Sequence, residues 1–293
     1  MKELRYEVLK WAADLLTAHH RDANIGELLL QARLGLTRTD LITGLREPIA
    51  SKDAEWLRRS VEEHVYKGTP LQYMLGCAPF YGRSFKVNAD VLIPRQETEE
   101  LVWRVGEWAK RYAPDLDHPA VCDIGTGSGA IAVTLGLEHP DWRITAVDLS
   151  EKALDVAREN ADDLGAQIVF CPGDLLCPLI HQPFDILVSN PPYITKQEMG
   201  GLDDTVRDYE PHLALYGGND GLDCYRKIIA DMPLIFSGRS VFIAAFEIGA
   251  TQGNAVADLI RRAFPNQIEA LSIEKDISGH DRNIMVVLQT KQG

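Results

Sequence analysis

One apolar run, Ile186-Leu187-Val188, ends abruptly at Asn190-Pro191-Pro192-Tyr193, and this stop constrains the fold more than any other stretch. Consecutive aliphatic residues without polar alternation suit a strand buried on both faces, as in a parallel sheet. Two successive prolines fix φ and offer no N–H, so the strand cannot continue and nearby carbonyls stay free. The consequence is an amide side chain, a free carbonyl and an aromatic ring held just past a strand's C-terminal end. In open α/β sheets, ligands bind at that end.

The flanking sequence supplies the rest of such a sheet. From residue 120 onward, strand-like and helix-like segments alternate. Ala120 to Ile124 reads as a strand and Ala130 to Leu137 as a helix. Arg143 to Val147 reads as a strand, and Ser150 caps a helix running towards Leu164. Gln167 to Cys171 is a further strand before the Ile186 run. Leu222 to Met232 then reads as a helix, Ser240 to Phe246 as a strand and Gln252 to Ala263 as a helix. The closing runs, Ile268 to Ile273 and Asn283 to Leu288, are close enough in sequence to pair antiparallel. This order predicts a mostly parallel, doubly wound sheet with an antiparallel edge.

The first 75 residues have a different character. Leu4, Val8, Ala12, Leu15 and Leu16 make one stripe at helical spacing, and Ile25, Leu28, Leu29 and Ala32 make a second. A third helix starts after Ser51, carries Ala54, Leu57, Val61 and Val65, and stops at Gly68 ahead of Pro70. This is a small helical bundle without chemistry of its own, suited to holding a partner. Phe80 to Val87 reads as two short strands around a glycine turn. Ile93-Pro94-Arg95 then feeds a helix bearing Leu101, Val102, Val105 and Trp108. The expected division is a helical docking domain at 1–75, a hairpin linker at 76–93 and a catalytic domain at 94–293.

Charge and cysteine usage exclude several classes. A net charge of −13 opposes a large phosphate-binding footprint, which draws its affinity from Lys and Arg. The five cysteines (Cys77, Cys122, Cys171, Cys177 and Cys224) form no CxxC pair, which points to reduced thiols and no zinc site. His19-His20 brings no second ligand cluster with it. No apolar run approaches the length of a membrane span. The expectation is a cytoplasmic, monomeric protein with no membrane or direct nucleic-acid partner and no metal.

Asp123-Ile124-Gly125-Thr126-Gly127-Ser128-Gly129 follows a strand and opens a helix, so that a ligand can lie against bare amides. Asp148, at the end of the next strand, is placed to take two ribose hydroxyls. NAD enzymes and methyltransferases share this arrangement. Two acids separate them. Asp123 would repel a pyrophosphate but attract the ammonium group of S-adenosylmethionine, and Asp174 can accept a hydrogen bond from an adenine amine. Asn190-Pro191-Pro192-Tyr193 then favours methyl transfer to a planar nitrogen. The Asn190 side-chain oxygen and the Pro191 carbonyl would accept both hydrogens of an amide or amine, turning its lone pair towards the methyl. Tyr193 would stack on the planar group and favour the cationic transition state. Positioning of this kind can be worth about 7–11 kcal/mol, and no strong base is needed.

On these residues the chain resembles the HemK/PrmC family, methyltransferases acting on a glutamine side-chain nitrogen of peptide chain release factors. Gly68-Thr69-Pro70-Leu71-Gln72-Tyr73, Phe80-Tyr81-Gly82, Val91-Leu92-Ile93-Pro94-Arg95 and Glu97-Thr98-Glu99 match its linker. Asp123 to Gly129, Asn190 to Tyr193 and Tyr209-Glu210-Pro211 match its catalytic domain. So do Gly217-Gly218-Asn219-Asp220-Gly221-Leu222, Glu247-Ile248-Gly249 and Gly279-His280-Asp281-Arg282. The resemblance implies a Rossmann-like class I methyltransferase fold, S-adenosylmethionine as methyl donor with S-adenosylhomocysteine as product, and a release factor as partner docked by the N-terminal helices. It also implies roles. Gly125 to Gly129 would cradle the methionine part, Asp148 would hold the ribose and Leu175, beside Asp174, would flank the adenine. Asn190 would touch both cofactor and glutamine, with Tyr193 as its catalytic companion and Pro191 and Pro192 completing the substrate site. Gln96 stands where the family often has proline, and Leu175 where some members carry an aromatic ring. The competing readings are a DNA or RNA amine methyltransferase using the same tetrapeptide, an inactive adaptor retaining the bundle, and an NAD enzyme. His280 reads as part of a polar loop between edge strands. Glu97 and Glu99 read as acids favoured at a helix N-terminus, with Arg95 folded over the cofactor pocket.

Overall fold

The computed structural model describes residues 3–289 apart from 237 and 239. The chain forms two compact units. One runs to Cys77 and takes in Asp203–Tyr209; the other comprises Ala78–Leu202 and the segment from Glu210 onward. The β-hairpin lies within the second unit except for its first residue, Cys77.

The first unit contains helices α1 (Arg5–Ala18), α2 (Ile25–Leu34), α3 (Arg38–Thr43), α4 (Ser51–Lys67) and α5 (Leu71–Leu75). Its core gathers Val8, Ala12, Leu16, Ile25, Leu29, Leu57 and Val61 among others. Two details differ from the periodicity reading. Ala50, not Ser51, is the N-cap of α4, and it makes no side-chain cap. Helix α2 buries Ile25, Gly26, Leu29 and Leu30, leaving Leu28 and Ala32 exposed. Apolar residues surround this short helix almost completely, so spacing alone does not select the inward stripe. Arg21 closes the unit by a bidentate pair to Asp204, at 2.8 and 2.5 Å.

The second unit opens with hairpin strands β1 (Cys77–Phe80) and β2 (Arg83–Lys86). Tyr81 and Gly82 both take positive φ, as a tight two-residue hairpin requires. Next come α6 (Gln96–Tyr112), β3 (Ala120–Ile124), α7 (Ala130–Glu138), β4 (Arg143–Asp148), α8 (Glu151–Leu164), β5 (Ile168–Pro172) and β6 (Ile186–Ser189). Then follow helix α9 (Asp223–Asp231), β7 (Val241–Glu247), α10 (Gly253–Ala263), β8 (Ile268–Lys275) and β9 (Asp281–Gln289). Ser150 caps α8 through its hydroxyl, which accepts from the Ala153 N–H at 3.2 Å.

Strands β3 to β9 form one sheet in the order β5-β4-β3-β6-β7-β9-β8. Pairings are parallel from β5 through β7, and the antiparallel edge arises because β9 inserts between β7 and β8. Alternate residues feed cores on opposite faces. Cys122, Leu187, Ala244 and Phe246 pack with Tyr225, Ile228 and Ile260 on the α9–α10 side. Val121, Ile186, Val188 and Ile243 pack with Leu101, Val105, Ile131 and Leu135 on the α6–α7 side. Burial on both faces explains the uninterrupted apolar strands. Strand order reverses between β3 and β6, since the chain builds outward through β4 and β5 before returning to the far side of β3. That switch point opens a crevice at the strands' C-terminal ends.

Candidate active site

Both sequence features of interest leave the sheet side by side at this crevice. Ile124 pairs in register with Ser189, and the Ser189 hydroxyl donates to the Ile124 carbonyl at 2.6 Å. The glycine loop and the Asn190 tip therefore start from a common, fully buried level.

Gly125 and Gly127 lie in the left-handed region, at φ +76° and +56°, with open space where a Cβ would sit. Their requirement is conformational, and it leaves bare backbone facing a cavity of ≈350 Å³. Asp148 is anchored at the rim of this cavity. Its two carboxylate oxygens accept from the Gly127 and Ser150 N–H groups, each at 2.8 Å. Burial pushes its pKa up, against the pull of those N–H donors. Asp174, Leu175, Asn190 and Pro192 line the same cavity. Leu175 holds φ +50°, strained for a residue with a side chain. Lys227 lies 3.6 Å from the Asp174 carboxylate. Thr126 and Ser128 face a smaller recess across the loop, shared with Arg95, Thr98 and Asn190. Asn160 fastens this loop to the hairpin, donating to the Ser128 and Lys86 carbonyls at 2.9 and 3.0 Å.

Four of the expected site residues lie elsewhere. Asp123 is wholly buried beneath the loop, where one carboxylate oxygen accepts from the Thr126 hydroxyl at 2.6 Å and the other meets no hydrogen-bond criterion among the described residues. Burial raises its pKa from 3.8 to about 7. Any pull it exerts on a cation acts from under the loop, without lining the cavity. Gly129 packs against Ala157 of α8 rather than facing the cavity. Pro191 is buried, and among the described residues its carbonyl receives no hydrogen bond. Tyr193 faces a second cleft of ≈480 Å³, with Ile194, Glu198, Gln252 and Arg282. Asn190 and Pro192 therefore face the glycine-loop cavity, and Tyr193 faces this cleft.

The tip is braced from behind. Gln252 donates to the Tyr193 carbonyl at 2.9 Å, and the Ile194 N–H donates to the Leu215 carbonyl at 3.0 Å. Gly217 and Gly221 press on this backbone so closely that a Cβ would lie 2.5 Å from the Pro192 carbonyl oxygen and 2.2 Å from that of Tyr193. The Gly-Gly-x-Asp-Gly-Leu stretch is therefore the seat of the tip.

Three residues with no role assigned from sequence complete the site. The Glu210 carboxylate, almost wholly buried, accepts from the Ile93 N–H at 3.1 Å and from Arg95 at 2.5 Å, holding the segment over the loop. Thr98 and Glu247, both buried, join Asn190 and Tyr193 in one hydrogen-bond chain. Their signal was a polar residue inside an otherwise apolar pattern, Glu247 closing β7 and Thr98 on the inner face of α6. Glu99 has a structural partner, accepting from the Tyr81 N–H at 2.8 Å. His280 lies in a loop organised by Asp276, which accepts from the backbone of Ser278 and His280 and from Arg282. Among the described residues no cluster of three His, Cys, Asp or Glu is arranged to hold a metal ion, and no helix is long and apolar enough to cross a membrane.

Comparison with known proteins agrees with this architecture. Residues 7–76 match the PrmC N-terminal domain and residues 112–206 the methyltransferase small domain. A release factor glutamine methyltransferase of Bacillus subtilis is 46% identical over 97% of both chains. One from Enterococcus faecalis is 41% identical over 96% of this chain and 98% of its own. In fold alone, the chain is similar to the hMettl16 catalytic domain, solved in complex with MAT2A 3'UTR hairpin 6, at a TM-score of 0.52 and 14% identity over 82% of each chain. A methyltransferase fold with the glycine loop and the Asn-Pro-Pro-Tyr tip at one crevice, and relatives of this identity over nearly the whole length, make the chain a member of the release factor glutamine methyltransferase family.

Proposed function

We propose that the chain transfers a methyl group from S-adenosylmethionine to the side-chain amide nitrogen of a glutamine in a peptide chain release factor. The observation that carries this reading is the pairing of β3 with β6, which sets the Gly125–Gly127 backbone beside Asn190 at one crevice. The cavity suits S-adenosylmethionine. Bare amides face one end, the anchored Asp148 carboxylate keeps acceptor capacity for two ribose hydroxyls, and Asp174 with Leu175 offers an acceptor and an apolar wall for adenine. Gly129 shapes the loop from behind, Thr126 and Ser128 edge it, and Asp123 favours the ammonium group from beneath. When bound, the donor supplies an electrophilic methyl on a sulfonium.

The chain's own contribution is position and charge. The acceptor amide is brought to Asn190, which lines both the glycine-loop cavity and the smaller recess beside it. Its amide hydrogens meet the Asn190 side-chain oxygen and the Pro191 carbonyl, which turns the nitrogen lone pair directly towards the methyl. The nitrogen would gain the methyl as the sulfonium–methyl bond breaks, S-adenosylhomocysteine would leave, and one N–H proton would pass to solvent water. Tyr193 lies against the amide plane and Pro192 closes the donor side. A glutamine reaches Asn190 from an extended loop, so the substrate is a protein with such a loop. The helical unit and its flanks (1–75) dock that protein, the hairpin (76–93) connects, and residues 94–293 carry the chemistry. The net charge of −13 favours a protein substrate over nucleic acid, with the enzyme acting as a cytoplasmic monomer.

The deciding experiment offers labelled S-adenosylmethionine with purified release factor, DNA and tRNA in parallel. Label in the release factor, at glutamine, is expected; label only in nucleic acid overturns the reading. Asn190→Ala should keep donor affinity within about threefold and lose about 100-fold in turnover. Near-normal turnover would refute the amide clamp.

A further inference from the structure

We propose that Thr98 and Glu247 act as a positioning relay that fixes which end of the Asn190 amide faces the acceptor. The inference rests on the clamp reading above and adds two residues to it. An asparagine amide is nearly symmetric in shape but opposite in polarity at its two ends. Turned one way, Asn190 offers an acceptor to the substrate N–H; turned the other, it offers two donors, and the substrate is repelled.

Shape does not choose between these orientations, but the hydrogen-bond chain does. Glu247 is 1% exposed at the end of β7, next to β6, and Thr98 is 4% exposed in the first turn of α6. The Thr98 hydroxyl donates to Glu247 Oε2 at 2.6 Å. An ionised carboxylate only accepts, so the single hydroxyl proton of Thr98 is committed to it. What Thr98 then presents to Asn190 is a lone pair, and Asn190 Nδ2 donates to it at 3.2 Å. With Nδ2 held there, Oδ1 is left for the acceptor. The other oxygen of Glu247 accepts from the Tyr193 hydroxyl at 3.4 Å, so one buried carboxylate touches both functional side chains of the tip. Its own main chain is fixed in turn by the Tyr225 hydroxyl, which donates to the Glu247 carbonyl at 2.6 Å. None of these atoms needs to touch substrate or donor; the relay acts through Asn190.

Three substitutions test the relay: Thr98→Val, which keeps shape and removes the hydroxyl; Thr98→Ser, which keeps the hydroxyl; and Glu247→Gln, whose amide can donate to Thr98 and so frees the hydroxyl proton. Donor affinity is measured by calorimetry, with kcat and KM for release factor alongside Asn190→Ala. Thr98→Val should hold donor affinity within about twofold and lose about 100-fold in kcat with little change in KM, the pattern of lost orientation. Thr98→Ser should recover to within about threefold of wild type, and Glu247→Gln should lose about tenfold. If Thr98→Val turns over near wild type while Asn190→Ala is inactive, the relay is wrong and the clamp survives. An active Asn190→Ala removes the clamp itself. Should Thr98→Val fail to bind donor, Glu247→Gln decides: wild-type kcat there overturns the relay, and a selective loss of kcat supports it.

Discussion

Replacing Asp123 with asparagine tests the energetics of the glycine loop without touching the cavity lining. The carboxyl is fully buried, one of its oxygens meets no hydrogen-bond criterion among the described residues, and burial raises its pKa from 3.8 to about 7. Between those two values the folded chain holds a proton that the unfolded chain has released. Folding is thus favoured below the unfolded pKa, and that contribution is lost as pH rises through the folded pKa. A shift of about three units corresponds to about 4 kcal/mol in total, of which about 2–3 kcal/mol is lost between pH 5 and pH 8. Asparagine does not titrate. Its unfolding free energy relative to wild type should therefore improve by about 2–3 kcal/mol across that interval, whatever constant offset the new amide introduces. Urea unfolding of both chains at pH 5, 6, 7 and 8, without donor so that mass action adds nothing, measures the difference. Glu247 is also raised to about 7, but it is common to both chains and cancels. Parallel stability curves for the two chains would refute a raised Asp123 pKa in the folded chain.

Other expectations follow from the bracing and the relay. Gly221→Ala sets a Cβ 2.2 Å from the Tyr193 carbonyl oxygen at a residue with φ +74°, so it should cost about 1–3 kcal/mol in stability and most turnover. Thermal melting and a methylation assay read both. Glu210→Ala strips the buried Ile93 N–H and Arg95 of their shared acceptor and should cost about 2–3 kcal/mol. Weaker donor binding in calorimetry is expected with it, and unchanged affinity would show that this segment does not cover the donor. Wild-type kcat should fall as pH drops through about 7, where Glu247 gains a proton and can donate to Thr98. Burial raises its pKa, Thr98, Arg282 and Tyr193 oppose, and Glu97 adds to the rise. Glu247→Gln should lack this acid limb in a pH–rate profile.

The fold was legible wherever burial is two-sided or a cap is local. Strands β3, β6 and β7 read as strands because both faces are covered, which leaves short apolar runs whose length and breaking flanks, rather than period, mark them as strands. Ser150 was legible as a cap because the cap is a contact three residues long. Helix α2 was less so. With Leu28, Leu29 and Leu30 adjacent, its inward face is set by its neighbours and not by its own spacing.

The site divides along the same line. Glycine-loop residues and Asn190 could be found from short-range pattern, since each sits next to the strand that carries it. What pattern could not supply is which surface a residue faces. Asp123 and Gly129 belong to the loop by sequence yet turn away from the cavity, while Tyr193 lines a different cleft. Nor could it supply Thr98 and Glu247, which lie 92 residues before Asn190 and 54 residues after Tyr193 and meet only because α6 packs beneath the end of β7. Each alone is an ordinary polar residue. Their function arises from a constraint on proton direction that passes through three side chains, so it exists only once the sheet is assembled. A buried carboxylate in this position is costly to ionise, a cost that its hydrogen bonds from Thr98 and Tyr193 only partly offset. That cost is consistent with a residue retained to orient the tip.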